Sequence, residues 1–327
     1  MKLRIPFHPL LFQSSLAAGG IALMAFNYLQ FGIPHSEGLI TLSNVSWGTL
    51  SGAESALYLP LVAIMLAFTL INFALTVYFL GRLWGWLTER GAYRAFVNNP
   101  HKNQNAGIFA IVASLAMTVN VFWAPFGFFV PQMSAHMQAF MLPSLIIFGV
   151  LLAVLVFLEV TVGRTWFSEG VDLTQFNFIW LLDVFAFGLV TLTGSGITSM
   201  AENDTVAGIA AVGTVFALVI GVLMLVAKLG FLLYTHIKAR ELPPNPILPG
   251  FFLVVPISCL LGLGAYRVAE YVQPQVALDV PGSTSLLITG SYALAIGWGV
   301  AAVYVVRDYL RTEFSKTAFA PSQWGFV

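Results

Sequence analysis

Apolar and polar positions along this chain segregate on the scale of whole helices. Eight long apolar runs, at 10–33, 57–83, 106–130, 137–160, 176–200, 206–235, 247–272 and 285–310, are parted by polar segments, and a ninth begins at Phe319. Each complete run has the twenty or so residues that a helix needs to cross a hydrocarbon core of about 30 Å. Lys2 and Arg4 give the first run the flank of a secretion signal, but the run continues through Phe31 and pairs with the second, which makes it a first span. A short loop, 201–205, joins the fifth and sixth runs and makes them antiparallel neighbours. The predicted fold is an all-α polytopic membrane protein, a single transmembrane domain over 1–327. It consists of tandem helical hairpins, eight full spans plus the start of a ninth.

The spans differ in kind. Span five opens as a bulky apolar helix and turns midway into a run of glycine, serine and threonine. At 3.6 residues per turn, Gly188, Thr191, Ser195 and Thr198 fall on one face. Such side chains gain little from lipid, so the stripe faces either a neighbouring helix, which small residues let approach closely, or an aqueous path. Phe12, Ser15, Gly19 and Phe26 line up in span one, Ser114, Thr118, Val121 and Pro125 in span three, and Phe252, Pro256, Cys259 and Leu263 in span seven. A proline within a span removes a backbone hydrogen bond and bends the helix, which is tolerated where a neighbour or a cavity satisfies the freed carbonyl. Spans two and four are mainly Leu, Ile, Val and Phe, and Gly213, Gly221, Gly297 and Gly299 of spans six and eight are assigned to helix contacts. The expectation is an inner ring of odd-numbered helices around a central pore, with the even-numbered helices outside. Its lining candidates are Phe12, Ser15, Gly19, Ser114, Thr118, Gly188, Thr191, Ser195, Thr198, Phe252 and Pro256.

Composition supports the class: 58% of residues are hydrophobic, 9% are charged, and the mean hydropathy is +0.87. Fourteen basic and fourteen acidic residues cancel, so nothing argues for a nucleic-acid partner. Twelve of the fourteen basic residues lie at the N-terminus or after spans two, four, six and eight. The intervening loops hold Glu37, Glu54, Glu202, Asp204 and Asp279 instead. That alternation places the N-terminus in the cytoplasm and the acidic loops outside. The longest outer loop, 34–56, is expected to lie over the outer mouth, with Trp47 as an interface anchor. A single cysteine, Cys259, excludes an internal disulfide and any multi-cysteine metal site, and no cofactor is expected.

The first helix FQSSLAAGGIALMAF, the basic loop ending NNPHKNQN, the proline-bearing seventh span and the terminal APSQWGF resemble the tellurite-resistance/dicarboxylate transporter family. That family includes the bacterial TehA channels and the slow anion channels of plant guard cells. The resemblance covers nearly the whole chain and rests on the layout of the spans and on short motifs. It implies ten helices in five tandem hairpins, a pore lined by odd helices in each protomer of a homotrimer, and residence in a bacterial inner membrane. It also implies chloride, nitrate, sulfite or dicarboxylates as the transported anions. In the family a ninth helix opens near a tryptophan and carries, four residues on, a phenylalanine that plugs the pore. Trp324 matches the tryptophan, but the sequence ends at Val327, one residue short of the plug; Phe326 is the nearest aromatic. A longer native chain with ninth and tenth helices is the expectation.

Charged residues within spans are functional candidates. Lys228 either snorkels to the headgroups or attracts anions at the inner mouth, and Asp183 either pairs with Lys228 or serves as a proton site. Arg267 and Glu270, three apart on a helix, form a local ion pair, or Arg267 collects anions at the outer vestibule. Enzymatic readings find no support: all five histidines fall at span ends or in loops, and no phosphate-binding glycine motif is followed by a lysine. Two functions remain. One is a channel for small monovalent anions through an uncharged lining of hydroxyls and backbone, constricted by Phe12, Phe26 and Phe252. The other is a proton-coupled exporter of sulfite, tellurite-type oxyanions or C4-dicarboxylates, with Asp183 as the coupling site.

Overall fold

The computed structural model describes residues 6–35, 38–99, 105–169, 176–240, 242–243, 245–276, 282–314 and 316. Among them eight helices are long and apolar enough to cross a bilayer: spans one to eight at Pro9–Gly32, Gly52–Thr88, Ala106–Phe129, Met137–Thr165, Phe178–Met200, Asp204–Ala239, Ile247–Val272 and Ser283–Thr312. The described residues contain no strand. Trp324, Phe326 and the run from Phe319 lie outside the described residues.

Spans two and six start ahead of their apolar runs because polar side chains cap their N-terminal ends beyond the hydrophobic stretch. Ser51 Oγ accepts from the Glu54 amide at 3.2 Å while the Glu54 carboxylate accepts from the Ser51 amide at 2.8 Å, which starts span two at Gly52. Asn203 Oδ1 accepts from the amides of Thr205 and Val206 and starts span six in the same way. At 37 and 36 residues these helices are about 55 Å long, well beyond the hydrocarbon core.

The odd spans share a different start. Each opens with a 3-10 segment, at Pro9–Leu11, Ala106–Ile108, Phe178–Leu181 and Asn245–Leu253, and segments of successive odd spans pack on one another. Above them span one packs on span three, three on five, and five on seven, so the odd helices form a continuous arc. Spans two, six and eight lie along their hairpin partners, and span four sits between spans three and five. Burial follows this layering: the apolar window of each odd span is more than half buried, reaching 83% in span five, whereas no even span exceeds 33%. Large apolar side chains that remain exposed lie mostly on the even spans, as lipid-facing surface requires.

Two odd spans accommodate their prolines by distinct means. In span three a π-helical turn at Phe122–Phe126 absorbs Pro125. In span seven Pro256 follows directly on the change from 3-10 to α-helix at Val254. The loop after span one folds back over the ends of spans one to three. There Ile40 and Val45 are buried with Phe26, Leu29, Tyr58, Met65 and Phe128, and Trp47 packs on the same cluster. Gln30 anchors the loop, accepting from the Ile40 amide at 2.8 Å and donating to the Gly38 carbonyl at 3.0 Å.

Candidate functional site

Polar side chains at mid-depth gather in the seams between helices. In the seam of spans one, two and three, Asn72 Nδ2 donates to the Ser15 carbonyl at 2.8 Å, and the Ser15 hydroxyl bonds the Thr76 hydroxyl, which in turn bonds Thr118 at 2.9 Å. Gly19 makes room for this clasp: a Cβ there would meet Met117, Asn72 and Val121. Phe12, Ser15, Gly19 and Ser114 are all buried in the same region, while Thr118 keeps partial exposure. Asn72 and Thr76 lie on a span read as mainly Leu, Ile, Val and Phe; with Thr69, also buried, they break its apolar run and mark its inward face.

Span five is the most enclosed element. Its small-residue stripe turns toward span seven, with Gly188 against Leu260 and Thr191 against Gly264. Thr198 and Ser195 bond the backbone of their own helix, Thr198 to the Gly194 carbonyl and Ser195 to that of Leu192, both at 3.0 Å. At Gly188 and Thr191, then, the stripe serves close helix packing, the first of the two roles that such a stripe can play. The other faces of span five are engaged as well. Asn120 of span three donates to Thr193 at 2.9 Å, and Gly194 lies against Thr214 of span six and the Phe148 ring of span four. Of the eleven lining candidates, Thr118, Phe252 and Pro256 are part-exposed and the other eight are buried.

The charged residues resolve into two sites. Lys228 does not snorkel: its ammonium forms a buried ion pair with Asp183, lies 4.6 Å from the centre of the Trp180 ring and donates to the Trp180 carbonyl at 3.4 Å. A third group, Glu159 of span four, stands near the pair, its Oε2 buried without a hydrogen bond among the described residues. Sequence reading passed over Glu159 because it stands at the edge of an apolar run, and only the seating of span four against spans five and six brings it to the pair. At the opposite end of the bundle, Arg267 is part-buried beside Gly196 of span five. The expected ion pair between Arg267 and Glu270 is replaced. The Glu270 carboxylate accepts from the hydroxyl of Tyr266, one turn earlier on the same face, and no hydrogen bond or ion pair holds Arg267 among the described residues.

Eight membrane-crossing helices, with the odd ones in a buried arc and their polar groups turned inward, define a polytopic helical membrane protein of the transport type. The sequence model described as voltage-dependent anion channel matches residues 6–327, and the chain belongs to that family. This is the TehA and slow-anion-channel family that the first helix and the terminal motif resemble, and anion transport is its function at family level. No curated protein and no solved structure matches the chain.

Proposed function

We propose that the chain is a channel for small monovalent anions such as chloride and nitrate, which pass along the odd-helix arc and are gathered at its acidic-loop end by Arg267. The observation that carries this reading is the guanidinium of Arg267, part-buried beside Gly196 with its potential counter-ion Glu270 engaged by Tyr266. A cation in a partly desolvated mouth without a bonded carboxylate raises the local concentration of anions. The odd helices begin at the opposite face, so their N-terminal ends, with partial positive charge, face the other mouth. Between the two ends the ion would meet hydroxyl, apolar and backbone groups and no lone charge, so nothing would hold it too tightly to leave. Thr118, Phe252 and Pro256, part-exposed on spans three and seven, are the wall candidates.

The basic loops support placing the N-terminal face in the cytoplasm, and the family supports a homotrimer in a bacterial inner membrane. The exporter alternative took Asp183 as its coupling site, a carboxylate that Lys228 already engages. In proteoliposomes we expect a current whose reversal potential follows the chloride or nitrate gradient and ignores a pH gradient. Arg267→Gln should lower it by about tenfold, equivalent to about 1.4 kcal/mol of lost attraction, and Arg267→Lys should largely preserve it. A current set by the proton gradient, or one that Arg267→Gln leaves intact, overturns the reading.

A further inference from the structure

The basic-loop face carries one arrangement three times. On spans two, six and eight a cation lies over the ring of a tyrosine one turn nearer mid-depth: Arg82 over Tyr78 at 5.9 Å from the ring centre, Lys238 over Tyr234 at 5.6 Å and Arg307 over Tyr304 at 4.8 Å. Arg82 also donates from Nη1 to the Tyr78 hydroxyl at 3.0 Å. Residues three or four apart share a helix flank, so each pair occupies one patch of surface. Each cation stands within a turn of the end of its apolar run, where hydrocarbon gives way to headgroups.

These flanks face lipid. Tyr78, Tyr234 and Tyr304 are 56%, 63% and 67% exposed, on spans that are at most one-third buried. A tyrosine there keeps its ring in hydrocarbon and its hydroxyl near the interface. The ring also draws the cation back along the helix flank, where it meets lipid before it meets water. Compensation of the helix ends does not account for the arrangement, because Arg82 and Arg307 stand more than a turn before the ends at Thr88 and Thr312. Nor does pairing with a carboxylate: Asp308 lies 3.6 Å from Arg307 Nε, but its side chain is 85% exposed and water screens it.

We propose that these three tyrosine–cation pairs are binding sites for the headgroups of anionic phospholipids in the leaflet at the basic-loop face. The ammonium or guanidinium meets the phosphate, and the tyrosine ring packs beside the first carbons of the acyl chains. The sites stand on the three pairs and do not depend on the chain conducting anions.

Native mass spectrometry of the purified full-length chain tests this without any transport assay. Titrated with equal amounts of phosphatidylglycerol and phosphatidylcholine, the wild type should retain three phosphatidylglycerol molecules in preference, and the preference should fall as salt is added. Arg82→Gln, Lys238→Gln and Arg307→Gln should each remove one of them, and the triple variant should lose the preference. A control triple, Arg90→Gln, Arg94→Gln and Arg311→Gln, takes the same charge from exposed positions of the same face, none of which lies over a ring among the described residues, and should keep all three. Inorganic phosphate should not displace the lipid, since it brings no acyl chain to the tyrosine. The wild-type salt series needs no substitution, so a variant that fails to fold leaves the test intact. A wild type without the preference, a preference that ignores salt or survives the first triple, an equal loss in the control triple, or displacement by inorganic phosphate overturns the proposal.

Discussion

At the scale of single residues, the groups that matter are those whose charge state the surroundings dictate. His8 caps the 3-10 segment of span one: its Nδ1 accepts from the Leu10 amide at 3.2 Å, and its ring meets Phe96 edge-on at 5.5 Å. Burial pushes the His8 imidazole below its ordinary pKa, so the folded chain favours the neutral ring. Its contribution is complete above the unfolded histidine value of about 6.5 and is lost as pH falls through the lower folded value. Protonation also removes the acceptor that caps the segment. We expect the melting temperature of the wild type to fall faster than that of His8→Asn, which keeps a capping oxygen without titrating, as pH drops from about 7 to about 5. Parallel curves would remove His8 from the account. The Asp183–Lys228 pair was legible because the short 201–205 loop forces spans five and six side by side. Glu159 was not, since no local pattern tells which neighbour span four will touch.

At the scale of the helix, glycine decides how closely spans approach. Gly194 sits where spans four, five and six converge, and a Cβ there would overlap the Thr214 hydroxyl and the Phe148 ring, both fixed by packing. Gly194→Val should therefore destabilise the bundle by about 1–3 kcal/mol or more, the range for overpacking a full core. Gly230, exposed on span six with nothing near it, is the control. Gly230→Ala should be neutral or slightly stabilising, because alanine is the better helix former. Thermal unfolding in one detergent compares the two, and equal effects would refute the three-helix junction. Sequence patterning identified the span-five stripe correctly as a face of small residues, yet could not tell contact from water. The reason is physical: close backbone approach and a polar path both select glycine, serine and threonine. The 3-10 openings of the odd spans were also illegible, since their local sequences, PLL, AGI, FIWL and NPILPGFFL, share no motif.

At the scale of the whole molecule, layering and charge asymmetry express one constraint. Helices with hydroxyls and glycines at mid-depth are buried as an arc, and helices with mainly apolar outward faces cover it, because the bilayer offers no hydrogen bonds to the first kind. Hydropathy therefore carried span count and layering directly: spans one, three, five, seven and eight begin and end within two residues of the predicted runs, span two extends further at both ends, and spans four and six extend further at their C-terminal ends. The same layering fixes which face each loop occupies, since every odd span starts on one side and every even span on the other. Orientation then turns on Arg82, Arg90, Arg94, Arg164, Lys238, Arg240, Arg307 and Arg311 clustering at one face. Ser46, in the loop that closes over spans one to three, and Thr88, at the end of span two, are exposed on opposite faces. In a Cys259→Ala background, Ser46→Cys should react with a membrane-impermeant thiol reagent in intact cells, and Thr88→Cys only after lysis. The reverse pattern would invert the orientation and place Arg267 on the cytoplasmic side, where it would gather anions leaving the cell instead of those entering.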